Sequence, residues 1–216
     1  PFAHLPATSG TLDLRVIADI SNRDESCCAA VAYKTGPTSA LIGLLGGTVI
    51  NPARPYDRKM YANTDRGYDQ ETDEWGLSAE LNWDMGGMTL TSITAYRDWD
   101  ADRSQDIDFT DADILYRDRG TYGNQFETLT QELRLAGTSG PLDWLVGLYY
   151  MDEQLDVNDA VRTGPAYEAF ANGLLQAGGA PANSLSLFTG LAPGTVFTDG
   201  DGAISDAFRQ DTDGWA

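Results

Sequence analysis

The stretch PLDWLVGLYYMDEQLD, residues 141–156, decides the fold. Every second residue, Leu142, Trp144, Val146, Leu148 and Tyr150, is large and apolar. Between them stand Asp143, Leu145, Gly147, Tyr149 and Met151, with Glu153 beyond, a mixed set that ends in acid. Side chains alternate between the two faces of a β-strand, so this pattern specifies a strand with one continuous apolar face. The chain that carries it has 14 basic and 33 acidic residues in 216, a net charge of −19. The question is which solvent that face meets, a protein core or hydrocarbon.

Four more segments alternate in the same way or have strand composition. In 11–20, Leu12, Leu14, Val16, Ala18 and Ile20 oppose Thr11, Asp13, Arg15 and Asp19, and only Ile17 breaks the rule. In 75–85, Trp75, Leu77, Ala79, Leu81, Trp83 and Met85 oppose Gly76, Ser78, Glu80, Asn82 and Asp84. The segment 88–99, MTLTSITAYRDW, is a strand by its threonines and aromatics, although its faces are not clearly distinguished. In 126–136, Leu129, Leu133 and Leu135 form the apolar row and Gln131 interrupts it. With 142–153, these are the expected strands of an all-β, antiparallel meander of about five to six strands.

The connections alternate in length. Gly86-Gly87 and GTSGP (137–141) are tight turns, whereas 22–74, 100–125 and 154–208 are long. Short turns would gather at one end of the sheet and long loops at the other. Loops beyond about 12–15 residues are uncommon in compact soluble domains, but outer-membrane barrels combine short periplasmic turns with long extracellular loops. Trp75, Trp83, Trp99, Trp144, Tyr96 and Tyr150 fall near strand ends, where barrels of that kind carry aromatic girdles. Short helices are expected at 37–45 and 165–177, both opening on proline, and 178–203 is expected to be irregular. The longest apolar run, ALIGLLGG (40–47), is far below the roughly 20 residues of a membrane helix. The apolar rows therefore point to a transmembrane β-barrel segment whose greasy face meets lipid. An initial Pro1 without a leader, and an end at FRQDTDGWA that has no cap, point to an internal piece of a longer protein.

LTSITAYRDWDADRSQDIDFTDADIL (90–115) followed by TQELRLAGTSGPLDWLVGLYYMDEQL (130–155) resembles the barrel of a TonB-dependent outer-membrane receptor, with ITAYRDW, QELRLAG and DWLVGLYY the most specific phrases. RVIADISNRDESCCAAV (15–31) resembles a segment of the same family, and APGTVF (192–197) is compatible with it. The resemblance implies that residues 1–216 are a partial β-barrel domain in the bacterial outer membrane. It further implies active import of a scarce nutrient, a ferric siderophore first among the candidates, driven by the TonB complex acting through a plug. The family's barrel has about 22 strands, and neither a plug nor an energy-coupling box appears within these residues. Implied partners are the siderophore or a similar small ligand, outer-membrane lipid and lipopolysaccharide; no enzyme activity and no cofactor is implied. Two other readings stay open: a secreted soluble β-rich domain for ligand binding or hydrolysis, and a surface adhesin.

Residue chemistry adds few candidates. So acidic a chain repels phosphate backbones, which argues against nucleic acid. Cys27 and Cys28, the only cysteines, are adjacent; they can form a vicinal disulfide, stay as thiols, or bond elsewhere in a longer chain. Neighbouring Cα atoms lie about 3.8 Å apart, below the usual disulfide span, although an oxidising exterior favours a bridge. In DIDFTDAD (106–113), Asp106, Asp108, Asp111 and Asp113 offer four carboxylates to a hard cation, but the glycine and closing glutamate of the common calcium loop are missing. The alternative is a solvated loop. His4 is the only histidine, so neither a serine–histidine pair beyond it nor histidine-based metal catalysis has material to build on. No catalytic residue is expected, and no residue is singled out for ligand binding.

Overall fold

Each alternating segment forms a strand, and most run further than their alternation. A computed structural model describes residues 2–6, 10–26 and 30–216; Cys27 and Cys28, and with them the expected vicinal pair, lie outside the described residues. The strands are β1 (Phe2–Pro6), β2 (Thr11–Ser26), β3 (Asp69–Asp84), β4 (Met88–Arg103), β5 (Gln105–Asp106), β6 (Leu115–Arg117), β7 (Tyr122–Ser139), β8 (Leu142–Thr163) and β9 (Gly202–Trp215). All pair antiparallel in one nine-stranded sheet. β1, β2, β3, β4, β7, β8 and β9 follow one another as a meander, while β5 and β6 prolong the β4–β7 hairpin, β6 pairing with β8. Among the described residues the sheet is open: β1 pairs only with β2, and β9 only with β8.

The tight turns are Gly86-Gly87 and Gly140-Pro141. Gly86 has φ +83°, a left-handed conformation that glycine adopts without a steric cost, and its N–H donates to Asp84 Oδ1 at 2.8 Å. The facing ends of β1 and β2, Pro6 and Thr11, lie at the same end, because Thr11 pairs with Asp84. The long connections, described over 30–68, 104–121 and 164–201, lie at the other end, and the strands leave them shorter than the expected 22–74, 100–125 and 154–208. Strand residues account for the difference: β2, β3, β4, β7 and β8 all extend toward the long connections, and the first half of β9 occupies the end of the segment assigned to loop. The helices expected at 37–45 and 165–177 form as α1 (Thr38–Leu44) and α2 (Tyr167–Ala177). A third, α3 (Ser184–Thr189), forms inside the segment expected to be irregular; Asn172 Oδ1 of α2 accepts the Leu185 N–H at its first turn. No helix among the described residues is long and apolar enough to cross a membrane.

The register sorts the side chains into two faces. One carries Leu12–Ile20 of β2 (even positions), then Trp83, Leu81, Ala79, Leu77 and Trp75 of β3. It continues through Leu90 and Tyr96 of β4, Leu135, Leu133 and Leu129 of β7, and Leu142 to Tyr150 of β8, to Trp215 of β9. This apolar face is uncovered: Leu133 is 39% and Leu148 67% exposed, with Val16, Ile20, Leu77 and Val146 also exposed. Leu14 and Leu81 are half-buried. The polar residues that interrupt it satisfy one another, Thr94 Oγ1 donating to Gln131 Oε1 (2.5 Å) and Gln131 Nε2 to Ser92 Oγ (3.1 Å).

The apolar band runs obliquely across the strands. Ile20 is level with Trp75, but Tyr150 is level with Val16, by way of Gln131, Thr94 and Ala79. The band's edge thus drops by the four positions from 20 to 16 between β2 and β8. At ~3.3 Å per residue and ~4.8 Å between strands, that is a slope of about 35°. Rings mark the edge: Trp75 packs on Tyr96 (centroids 5.1 Å) and Tyr150 on Trp215 (4.4 Å), while Trp83 and Trp144 stand toward the tight turns. Trp99 is a correction to the expected girdle. It projects from the opposite face, opposite Phe126 with ring centroids 5.8 Å apart, because its odd position in β4 reverses its direction.

Beyond the band the same face turns acidic, through Asp73, Asp98, Asp100, Glu127, Asp152 and Asp156. The other face is polar along the band, with Arg15, Glu80, Arg134, Glu132 and Tyr149. The long connections fold over this second face. Thr72, Ala101 and Val161, all on it, are buried, and with Ala112, Ile114 and Tyr116 they make the small core.

Candidate functional site

Buried polar groups gather where the three long connections meet, and a cleft opens beside them between the first and the third. The aspartates of 106–113 form the hub. Asp106 is 1% exposed, and its Oδ2 accepts the Asn63 N–H at 2.8 Å; Tyr68 Oη donates to its backbone carbonyl at 2.9 Å. Asp108 folds the turn itself: Oδ1 accepts from Thr110 N and Oγ1, and Oδ2 from the N–H of Ile114 and Leu115. Asp111 accepts from both N–H and Oγ1 of Thr48. Asp113 receives Nε and Nη2 of Arg66 at 3.0 and 2.7 Å. Each candidate cation ligand therefore holds a protein donor of its own. Among the described residues no group of three or more His, Cys, Asp or Glu side chains is arranged to hold a metal. Sequence proximity suggested convergence; the turn at Asp108 instead spreads the carboxylates toward different partners.

The neighbouring charges are dispersed as well. Asp100 and Asp102, expected in the connection 100–125, are strand residues of β4 like Asp98. Arg103 bonds Gln70 and Asn124, Arg117 pairs with Asp159 at 2.6 Å, and Arg119 pairs with Glu71 and Asp102. His4 lies in β1 opposite Asp13.

Two residues that the sequence did not single out organise the hub. Arg66 joins Asp113, Asp199 (2.5 Å) and the face of Tyr116, 3.6 Å from its guanidinium carbon to the ring centroid. Glu168, buried in the first turn of α2, accepts the N–H groups of Gly194, Val196 and Phe197. Burial alone would raise the Glu168 pKa, but these three donors outweigh it and hold the carboxyl below its usual range. Asp106 shifts the other way. Burial is the main cause, and the neighbouring Asp108 adds to it, so that its pKa is pushed up to about 7 against the opposing Asn63 N–H. Neither residue had a sequence signal: Arg66 sits alone between Asp65 and Gly67, and Glu168 reads as an ordinary first-turn acid.

A cleft of about 370 Å³ opens between α1, α2 and the segment 183–197, lined by Leu41, Glu168, Asn172, Asn183, Pro193 and Phe197. Gly173 makes it possible for α1 to approach, since a Cβ there would stand 2.4 Å from Leu41 Cδ1. No family model, no curated protein and no solved structure matches the chain.

Proposed function

We propose that this chain is part of an outer-membrane β-barrel of the kind its sequence resembles, the TonB-dependent receptors. In this reading the apolar face meets lipid, the polar face lines a wet interior, and the three connected loops lie on the outside of the cell. One observation carries the reading: an uncovered apolar band, bounded by aromatic rings, that slopes about 35° across the strands. Barrel strands tilt by about 35–45° from the barrel axis, so a band level with the bilayer must cross them obliquely. Each full apolar row is about nine residues, the length that spans a bilayer core at such a tilt. A sheet folded on a protein core has no reason to confine its apolar face to an oblique belt and to set rings along its edge.

The role that follows is uptake of a scarce nutrient, a ferric siderophore first, with energy from the TonB complex through a plug. The chain itself does no covalent chemistry in this role. The cleft at α1 and α2 is within the ~300–1,000 Å³ of small-ligand sites and offers a place for the ligand.

Single-tryptophan variants in vesicles of brominated lipid test the membrane assignment. Fluorescence of Trp75, Trp83 or Trp144 should be quenched, with depth increasing away from each edge, and Trp99 should not be. Equal protection of all tryptophans, or equal quenching of Trp99, would overturn it. Uptake assays with the full-length receptor, comparing ferric chelates with cobalamin and sugars, test the ligand class.

A further inference from the structure

We propose that the cleft between α1, α2 and the segment 183–197 binds an uncharged, polyhydroxylated ligand, a neutral saccharide, through the side-chain amide of Asn172. Asn172 is 8% exposed, and its Oδ1 accepts the Leu185 N–H at 3.1 Å. An N–H bonds only the oxygen of a carboxamide, so this contact fixes which end of the amide is left for the cleft. Asn172 lines the cleft, and its Nδ2 hydrogens have no acceptor among the described residues. A ligand that displaces water from these donors must bring an acceptor of its own or leave them unpaired, which is costly at a buried site.

Charge decides the kind of acceptor. Glu168 lines the same cleft. Burial works against its ionisation, but the N–H groups of Gly194, Val196 and Phe197 outweigh it and keep the carboxylate charged at neutral pH. No basic side chain lines the cleft among the described residues. A carboxylate or phosphate entering it would meet Glu168 uncompensated, on a chain of net charge −19. An ammonium is drawn to that charge but cannot accept from Asn172. An uncharged oxygen meets both conditions. Gln176 and Asn183, exposed at the cleft, each carry an N–H2 and a carbonyl. Hydroxyls donate and accept and so match both groups, whereas a carbonyl matches only the N–H2. Leu41, Pro193 and Phe197 are apolar walls for the C–H faces of a sugar ring. The uptake role rests on the reading above, but the binding itself does not need the sheet to lie in a membrane. A ferric siderophore meets the same conditions only through an uncharged, hydroxylated part.

An array of uncharged and carboxylate-bearing glycans, probed with the whole chain in a detergent that carries no sugar, tests the assignment. Uncharged glycans should bind, and at low salt acidic ones about tenfold more weakly. Asn172→Asp keeps an oxygen for the Leu185 N–H and puts a second oxygen where the donor was. Binding should fall about tenfold or more, while the Leu185 amide stays protected from exchange. Gln176→Arg, an exposed change that supplies a cation, should narrow the preference for uncharged glycans by about threefold. No binding of any uncharged glycan, an equal response to acidic ones, or unchanged binding in Asn172→Asp would overturn the proposal. Should Asn172→Asp fail to fold, Gln176→Arg decides by itself, an unaltered preference counting against the site. Lipid quenching of the tryptophans is untouched by any of these results, so the cleft and the membrane assignment fail separately.

Discussion

Asp106 and Glu168 are both buried carboxylates of the long connections, and they respond to acid in opposite directions. Asp106 has a raised pKa of about 7, so the folded state favours its protonated form. Its contribution is complete below the ordinary aspartate pKa of about 3.9 and is lost as pH rises through about 7. Glu168 has a lowered pKa, so its contribution is present above the ordinary glutamate range and is lost as pH falls below it. Between pH 5 and 8, protection of the Asn63 amide, corrected for intrinsic exchange, should fall, and Asp106→Asn should flatten that profile. Protection of the Val196 amide should stay level over the same range. A rise at Asn63 with pH would show the opposite sign for Asp106. Glu168→Ala removes the acceptor for three N–H groups and should cost about 1–3 kcal/mol of local stability in 190–198, read by exchange at Gly194 and Val196.

The strand elements lend themselves to paired substitutions. Leu133 stands near the middle of the apolar row of β7, and Thr130 projects from the other face of the same strand. In lipid, Leu133→Arg should destabilise the folded state by ~2–4 kcal/mol, whereas Thr130→Arg should cost less than about 1 kcal/mol. Urea titrations of vesicle-bound protein would measure both; equal costs would remove the distinction between faces. The same distinction explains what the sequence made legible. Inside the band one face is apolar and the other polar, so β2, β3, β7 and β8 announce themselves by alternation. Beyond it this relation is lost: at Asp98–Asp102 the formerly apolar face is acidic while Trp99 and Ala101 stand on the other, at Asp152–Asp156 both faces are mostly polar, and the pattern disappears although the strand continues. β9 shows this best: only Trp215 reaches the level of the ring row, opposite Tyr150, and the rest pairs with the polar half of β8. β4 was ambiguous for another reason. Ser92 and Thr94 interrupt its apolar row and are made compatible by Gln131 on β7, a contact between strands that no single segment reveals. The contacts among the long connections were hidden by the same kind of non-locality, since Arg66 gains its meaning only from Asp113, Asp199 and Tyr116.

At the scale of the whole molecule, two exposed features compete with solubility: an apolar face without a cover and two free sheet edges. The charge of −19 opposes association, but the acids that face outward are concentrated beyond the band and leave the leucines unguarded. The chain in buffer should therefore aggregate, and a detergent should render it monodisperse in size-exclusion chromatography. That outcome alone does not separate a lipid-facing surface from a poorly folded soluble core; a quadruple substitution does. Changing Val16, Leu77, Leu133 and Leu148 to threonine retains β propensity and removes apolar area from one face only. Should that face meet lipid, the variant gains solubility in buffer, keeps its β-sheet circular dichroism, and loses binding to vesicles. Should the same side chains form the core of a soluble fold, their loss would cost several kcal/mol and unfold it. The two readings thus give opposite signs for one substitution set, measured by soluble yield and far-ultraviolet dichroism. We expect the gain.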